Sequence, residues 1–412
     1  MEGYKTYTLE ELSIGKGNYG IAASAVPFDT SLHTYLRITD INDDGTLNKS
    51  GLMSVDEDEA GKYLLKPNDI VFARTSNSTG RSYFYDGSDG ELVYAGFLIK
   101  FSLDNAKVNP RILKYYTHSK PYYDWIQSFG TGSTRGNINA KTYGNMPITL
   151  PPRDIQDKIV DVLKSLDDKI EMNRRINDNL EKQAQALFKS WFVDFEPFRD
   201  QPFVESELGM IPSTWSIQTA NDVFEINIGK TPPRKEQEWF SDSNKDNVWV
   251  SIADMGSCGM FISDSSEYLT DKAIDRYNII MVEKGTILLS FKLTVGRVAI
   301  ADNRLTSNEA IARFILPADY YREFLYLYLK QYKYENLGST SSIATAVNSK
   351  TIKGMKLLMP PTSVISDFNK ITKPLFEEIR YMLKESRRLA QLRDTLLPRL
   401  MSGEIKVGDV TL

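Results

Sequence analysis

The chain of 412 residues is long enough to form two or three domains with buried cores. Its hydrophobic fraction of 41%, charged fraction of 25% and net charge of −4 are those of an ordinary globular protein, and composition alone gives no indication of nucleic-acid binding. No apolar run approaches the ~20 residues of a membrane-spanning helix, and the N-terminus lacks the apolar core of a signal peptide, so we expect a cytoplasmic protein without membrane contact.

Residues 1–150 have the pattern of a strand-rich domain. Short runs of β-branched and aromatic residues, such as HTYLRITDI and ELVYAGFLIKF, are separated by turn signals such as NDDG. A helix is expected from Pro110 onward. We therefore predict a mixed domain with many short strands and few helices.

A long helix is predicted at residues 151–192. Pro151 and Pro152 precede about forty residues that contain neither Gly nor Pro. Apolar residues in this run recur at alternating steps of four and three, which is the heptad pattern of a two-helix coiled coil. At ~1.5 Å per residue such a helix is about 60 Å long, so it can act as a spacer. The predicted inward positions are Leu166, Ile170, Asn173, Asn177, Leu180, Ala184, Leu187 and Trp191.

Two of these inward positions, Asn173 and Asn177, are polar. Either they fix the register and pairing of two helices, or the helix turns outward there and they are solvated. The sequence leaves both interpretations open.

Residues 193–211 contain several Pro and Gly residues and are predicted to be a linker. Residues 212–358 then repeat the plan of the first domain. The run WVSIADM at 249–255 parallels YLRITDI at 35–41, and VGR at 295–297 parallels TGR at 79–81. The second half is therefore expected to contain a second domain of the same kind.

A second long helix at residues 359–405, with a tail at 406–412, repeats the first. NSKTIKGMKLLMPP matches NAKTYGNMPITLPP, so that Asn348 corresponds to Asn139 at an offset of 209 residues (348 − 139). A repeat without gaps over this distance indicates an internal duplication. Gly403 is the expected stop signal of the helix. The corresponding inward positions are Leu375, Ile379, Met382, Ser386, Leu389, Arg393, Leu396 and Leu400.

The chain shows no recognisable catalytic motif. His33 and His118 are its only histidines, and neither has a companion at metal-ligand or triad spacing. GKT at 229–231 resembles the end of a phosphate-binding loop, but Phe224 stands where that loop requires Gly. The single cysteine, Cys258, excludes an internal disulfide and a cysteine-based metal cluster. We therefore expect no catalytic residue, no metal site and no cofactor.

Polar loops of three kinds recur in both halves and carry the residue types that DNA contacts require. Arg and Lys suit guanine and phosphate, Asn suits adenine, and hydroxyls suit phosphate. For any single residue an ordinary polar loop is an equally good interpretation, but recurrence in both halves favours binding for the set. The first-domain candidates are Lys16, Asn18, Tyr19, Arg74, Thr75, Ser76, Asn77, Ser78, Arg81, Ser133, Thr134, Arg135, Asn137 and Lys141. The second-domain candidates are Lys230, Arg234, Lys235, Lys292, Thr294, Arg297, Ser341, Ser342 and Lys350.

The order of these segments resembles that of the specificity subunits of type I restriction-modification systems. The matching marks are INAKTYGNMPITLPP before the first helix, ELGMIPSTW at 207–215, GKTPPRK at 229–235 and VNSKTIKGMKLLMPP before the second helix. The helical and linker marks are specific to that family, whereas its domain loops vary widely. The resemblance spans essentially the whole chain.

The resemblance implies an α+β fold with an internal pseudo-two-fold duplication. Two similar, strand-rich target-recognition domains would each read one half of a bipartite DNA site, and two long helices, packed as an antiparallel coiled coil, would hold them apart. The implied partners are double-stranded DNA, two methyltransferase subunits that methylate adenine, and restriction subunits that complete an ATP-dependent nuclease. Arg393 and Ser386 make the two helices unequal, so the symmetry should be imperfect.

Two other classes remain open. One is the specificity subunit of a different bipartite system, in which a single partner polypeptide both methylates and cleaves. The other is an adaptor that joins proteins through paired domains on a coiled coil and does not bind DNA.

Overall fold

The computed structural model describes residues 3–129, 137–337 and 347–410. It divides into two compact units, the first made of Met1–Ile170 and Arg388–Leu412 and the second of Glu171–Arg387. Both boundaries between the units fall inside a long helix. Each unit therefore contains one strand-rich domain and a segment of both long helices.

The domain of unit 1 is built from short strands and short helices. Its strands are β1 (Lys5–Thr8), β2 (Asn18–Tyr19), β3 (Ala25–Val26), β4 (His33–Leu36), β5 (Met53–Val55), β6 (Asp69–Ala73), β7 (Ser82–Tyr85), β8 (Leu92–Tyr94), β9 (Leu98–Ser102) and β10 (Pro147–Leu150). Its helices are α1 (Pro110–Tyr116), α2 (Lys120–Gln127) and α3 (Ala140–Gly144), followed by the long helix α4 (Arg153–Phe192). The sheets have the orders β2-β9-β6-β7, β3-β5-β4-β8 and β1-β10.

Unit 2 repeats this plan with strands of similar length. Its strands are β11 (Phe203–Ser206), β12 (Gly209–Pro212), β13 (Ser216–Thr219), β14 (Glu225–Ile228), β15 (Phe240–Ser241), β16 (Asn247–Val250), β17 (Phe261–Ile262), β18 (Tyr268–Leu269), β19 (Ile287–Ser290), β20 (Val298–Ala301), β21 (Thr306–Ser307), β22 (Ile311–Ile315) and β23 (Lys356–Met359). Its helices are α5 (Ala220–Val223), α6 (Ile252–Ser257), α7 (Asp271–Arg276), α8 (Arg322–Gln331) and α9 (Ser349–Lys353), followed by the long helix α10 (Thr362–Met401).

The two domains share their sheet topology. The orders β14-β22-β19-β20-β17 and β15-β18-β16-β21 in unit 2 match those of unit 1, with β17 as an added edge strand. The pairs β4–β8 and β16–β21 are parallel in both. The central strands β6 and β19 are buried along their whole length, which explains their continuous apolar sequences. The fold confirms the α+β class and the internal duplication.

The repeated sequence motif before each long helix has a local structural reason. The side chains of Asn139 and Asn348 cap α3 and α9 by accepting hydrogen bonds from the backbone amides of Thr142 (2.9 Å) and Thr351 (3.1 Å). The following residues form β10 and β23, which pair with β1 and β13. A Pro pair then ends the strand, and the long helix begins at the next residue in both copies, at Arg153 in α4 and at Thr362 in α10.

The segment predicted as a linker is folded. Residues 203–212 form the antiparallel hairpin β11–β12. Phe198 and Ile211 are buried and belong with Trp215 to the apolar core of unit 2. This segment therefore contributes to the unit as well as connecting its parts.

The helices α4 and α10 have 40 residues each and pack antiparallel to one another within each unit. In unit 1, Leu163 and Leu166 share a core with Leu396 and Leu400. In unit 2, the Phe188 ring lies 6.2 Å from that of Phe368. Of the predicted inward residues, the buried ones are Leu166, Asn173, Ala184, Ile379, Leu396 and Leu400, and the half-buried ones are Ile170, Asn177, Leu180, Leu187, Trp191, Leu375, Met382, Ser386, Leu389 and Arg393.

The seam differs from the predicted one where the helices meet the second domain. Phe188, Phe192 and Phe376 are buried in the core of unit 2. Their neighbours Leu187, Trp191 and Leu375, which the heptad pattern predicts, are half-buried and pack against the same core. The aromatic cluster of unit 2 determines this choice, because Phe192 contacts both the helices and the domain core. The predicted residues still take part in the helix contact, since the Trp191 ring lies 5.6 Å from that of Phe368 on α10.

Asn173 is fully buried within unit 2. Its Nδ2 atom donates to Glu385 Oε2 (2.6 Å) and lies 3.3 Å from Ser386 Oγ on the antiparallel helix. This geometry supports the interpretation that Asn173 fixes the register of the two helices, because any slip would leave its Nδ2 group buried without an acceptor. No helix in the described part of the chain is both long and apolar enough to cross a membrane.

Candidate nucleic-acid interface

Three loops of the first domain, distant in sequence, meet at Tyr19. The Tyr19 hydroxyl accepts a hydrogen bond from the Ala140 backbone amide (3.1 Å). The Arg74 guanidinium lies over the Tyr19 ring, with its carbon 5.1 Å from the ring centroid. The Arg74 carbonyl in turn accepts from the Ile138 amide (3.0 Å). The structure thus joins all three candidate loops of this domain through one exposed aromatic residue.

Several candidate side chains around Tyr19 remain exposed. Lys16 and Lys141 are exposed and form no ion pair within the described residues. Asn18 is exposed, and its side-chain amide donates to the Lys16 carbonyl (2.9 Å). Asn77 and Asn137 are also exposed, Thr75 and Ser76 are half-buried, and Ser78 is buried. Ser133, Thr134 and Arg135, together with Ser341 and Ser342 of the second domain, lie outside the described residues.

Arg81 and Arg297, by contrast, are held inside their own domains. Arg81 forms an ion pair with Asp43 (2.6 Å) and donates to the Ile41 carbonyl (3.1 Å). Arg297 donates to the Ile252 carbonyl (2.6 Å). Ile41 belongs to the segment YLRITDI of the first domain, and Ile252 belongs to the matching segment WVSIADM of the second. The two arginines therefore fasten the same loop to the same neighbouring segment in each domain, and their contact with DNA stays a prediction.

The loop at Lys230 and Arg234 also uses its charges internally. Lys230 Nζ donates to the carbonyls of Tyr277 (3.1 Å) and Asn278 (3.2 Å). Arg234 forms an ion pair with Glu267 (2.8 Å) and lies over the Trp249 ring, 4.6 Å from its centroid. The other exposed candidates of this domain are Lys235, Lys292, Thr294 and Lys350. None of these three lysines forms an ion pair among the described residues.

Glycines hold these loops against a neighbouring strand in both domains. A Cβ atom on Gly20 would lie 2.2 Å from the Tyr94 carbonyl oxygen, and one on Gly229 would lie 2.0 Å from the Asn308 carbonyl oxygen. The amides of Gly20 and Gly229 donate to the carbonyls of Leu98 (3.2 Å) and Ile311 (3.1 Å), the first residues of β9 and β22. Only Gly permits this close approach, so the first loop of each domain has a fixed position.

The side chains of His118 and Cys258, which lie outside these loops, have the surroundings of structural residues. In the described residues, no group of three or more His, Cys, Asp and Glu side chains is placed to hold a metal ion. Burial lowers the pKa of His118, whose Nδ1 atom lies 3.3 Å from the Tyr123 hydroxyl. Burial likewise raises the pKa of the Cys258 thiol to about 11, which disfavours the reactive thiolate.

One residue that sequence reasoning passed over is Leu293. It lies between the candidates Lys292 and Thr294, and its side chain is 99% exposed. The available signal was an apolar residue directly between two polar ones, Lys292 and Thr294, in the segment FKLTVGR.

Two copies of a strand-rich domain, each with a segment of two paired long helices, define the class of protein. A family model described as the type I restriction modification DNA specificity domain matches residues 1–182 and 212–377. The chain therefore belongs to the family of type I restriction-modification DNA specificity proteins.

Individual relatives agree with this family. The type I restriction enzyme HindI specificity subunit of Haemophilus influenzae is 28% identical over 409 residues, covering 84% of this chain and 88% of that protein. The MjaIX specificity subunit of Methanocaldococcus jannaschii is 28% identical over 310 residues, covering 72% of this chain and 69% of that protein. The crystal structure of a type I system S subunit from M. genitalium has a TM-score of 0.52 and 15% identity, covering 97% of this chain and 96% of that chain, and this likeness supports the fold.

Proposed function

We propose that this chain is the non-catalytic DNA sequence-specificity subunit of a cytoplasmic type I restriction-modification enzyme. Each strand-rich domain binds one half of a bipartite site in double-stranded DNA. The two long helices set the length of the unread spacer and bind two methyltransferase subunits, through which restriction subunits join the complex. The chain selects the site, and its partners supply the chemistry.

The convergence of three loops at Tyr19 carries this proposal. An acidic chain with a net charge of −4 still has Lys16 and Lys141 exposed beside an Arg stacked on an exposed aromatic ring. This combination of cations, amides and an aromatic face suits a duplex, because cations contact phosphate while Arg and Asn contact base edges. The methyltransferase subunits would add phosphate contacts that the acidic chain lacks.

The helices are suited to the spacer role by their length. A helix of 40 residues at ~1.5 Å per residue spans about 60 Å, and half-sites that face one side of B-DNA lie about 34 Å apart. The buried Asn173 amide, which bonds across the helix pair, suits a device that has to keep one register.

Mapping methylated adenines across a genome, with and without this chain and in the presence of its methyltransferase subunits, tests the proposal. We expect methylation at one bipartite motif that disappears when the chain is removed. Methylation that does not depend on the chain, or failure of the complex to bind any DNA, would favour the adaptor class instead. A partner that both methylates and cleaves as one polypeptide would indicate the other bipartite system.

A further inference from the structure

The loop that follows the central strand has the same unusual backbone in both domains. Ser76 is the third residue after β6, and Leu293 is the third residue after β19. Both have left-handed backbones, with φ of 66° at Ser76 and 60° at Leu293. Such values are uncommon for residues other than Gly, and they persist only where the surrounding structure enforces them.

The frame around these two residues is similar, although the first loop is one residue longer. The backbone amides of Ala73 and Ser290 bond to the carbonyls of Arg81 (2.8 Å) and Arg297 (2.9 Å), which closes each loop. The two guanidiniums then fasten the loop to the neighbouring segment, as described above. Ser76 and Leu293 are therefore equivalent positions in one duplicated loop, although the residues themselves differ completely in polarity.

The second-domain loop is fixed from the inside. The buried Ser290 hydroxyl donates to the Thr294 carbonyl (2.5 Å) and accepts from the Arg297 amide (3.0 Å). The Thr294 amide bonds to the Lys292 carbonyl (2.7 Å), which makes a tight turn centred on Leu293. The turn directs the Leu293 side chain outward, where it is 99% exposed.

Neither packing nor backbone preference explains a leucine at this position. Its side chain contributes nothing to the apolar core, and Gly would adopt the positive φ without strain. A rigid turn that presents an apolar side chain loses little conformational freedom when it binds a partner. The flanking Lys292 and Thr294 carry the phosphate-binding groups, so the apolar side chain lies at the centre of a candidate DNA-contacting loop.

We propose that positions 76 and 293 are equivalent base-reading positions, and that Leu293 contacts the 5-methyl group of a thymine in the half-site of the second domain. Thymine presents this methyl group in the major groove, where it is read by apolar contact. At the equivalent position the Ser76 hydroxyl would instead form a hydrogen bond with a base edge. This inference rests on the proposed function, since it needs DNA bound at this loop.

Replacing thymine by uracil tests the contact, because the change removes only the methyl group. The half-site is first assigned to the second domain by exchanging residues 212–358 with those of a relative. Duplexes with one uracil at a time, on either strand, are then titrated with the chain in complex with its methyltransferase subunits. At one position the wild-type complex is expected to lose affinity about four-fold, the effect of one buried methyl group.

Variants of the chain locate the contact. The Leu293→Ala complex is expected to bind the thymine and uracil duplexes equally at that position. Val295→Ala, which alters a partly exposed apolar neighbour, should keep the wild-type sensitivity. Leu293→Gly should behave as Leu293→Ala while retaining the turn, which excludes misfolding as the cause. Ser76→Leu should change base preference in the first half-site only.

The outcomes separate this inference from the proposed function. Specific binding that is insensitive to every uracil, or a Leu293→Ala complex that retains the wild-type sensitivity, overturns the inference and leaves the proposed function intact. Loss of complex assembly in Leu293→Ala also overturns it, because the side chain would then bind a protein. If the assembled complex binds no DNA specifically, the proposed function itself fails.

Discussion

At the residue scale, the positively charged candidates separate into two groups that the sequence does not distinguish. Arg81, Arg234 and Arg297 are committed to carboxylates or carbonyls of their own domains. Arg74 is stacked on Tyr19, and its Nε atom is buried without a hydrogen-bond partner in the described residues. The first group holds the loops in shape, and we propose that Arg74 contacts DNA through the exposed part of its guanidinium.

A pair of alanine variants in one loop tests this separation. Arg74→Ala is expected to weaken DNA binding by about ten-fold and to reduce the salt slope of binding by about 1, without lowering stability. Arg81→Ala is expected to lower the free energy of unfolding by about 1–2 kcal/mol, because it leaves the carbonyl of the buried Ile41 without its donor, whereas the exposed Asp43 is hydrated. Thermal unfolding and a gel-shift titration measure the two effects. A stable Arg81→Ala protein with lost binding, beside unchanged binding by Arg74→Ala, would reverse the two roles.

At the element scale, Asp167 connects both long helices to the first domain. Its carboxylate accepts hydrogen bonds from Lys114 Nζ (2.7 Å), the Tyr115 hydroxyl (3.0 Å) and Arg393 Nη1 (2.9 Å). Burial alone would raise the pKa of Asp167, but the charges of Lys114 and Arg393 outweigh burial and hold the pKa below its usual range. Arg393, an irregular residue in the second seam, therefore has a specific partner.

This arrangement predicts how stability depends on pH. Because the folded state lowers the pKa of Asp167, its contribution is complete above the unfolded pKa of about 4 and is lost as the pH falls through the folded pKa. Asp167→Asn should lose about 3 kcal/mol at pH 7 and less under acid conditions, measured by urea unfolding. Asp168→Asn is the matched control, since that side chain is 59% exposed. An equal loss at pH 7 and pH 3 would contradict the assignment.

The helices can be lengthened without disturbing the core of either unit. Seven residues inserted after Ile170 and seven after Arg387 lie at the boundaries between the units and keep the heptad phase. The insertion adds about 10 Å, equivalent to about three base pairs of B-DNA. Mapping of methylated adenines should show a longer unread spacer and unchanged half-sites, whereas insertion in α4 alone should abolish assembly of the paired helices. Altered half-site sequences would exclude the spacer role.

At the scale of the whole molecule, the sequence predicts the duplication and the helices well because their signals are local. A Pro pair, an Asn cap and an apolar period each depend on a few neighbouring residues. At Leu187 and Trp191 the helix contact is wider than the heptad pattern predicts, because the adjacent Phe188 and Phe192 also pack into the aromatic core of unit 2, which is built from residues distant in sequence.

The candidate site was harder to predict because it depends on partners distant in sequence. Asp43 and Glu267 determine whether Arg81 and Arg234 are available, and neither is recognisable as a partner from the loop sequence. The meeting of Tyr19 with Ala140 is likewise a consequence of the fold. Leu293 is not recognisable from the sequence as a site residue, because the residue types that contact phosphates and base edges are mostly polar.

Exchange of one domain tests the central claim most directly. Residues 1–150 are replaced by those of a relative with a known target, and methylated adenines are mapped across the genome with the same methyltransferase subunits. We predict that one half of the bipartite motif changes to that of the relative, while the other half and the spacer length are retained. A motif that stays unchanged, or one that changes in both halves, would contradict the assignment of one half-site to each domain.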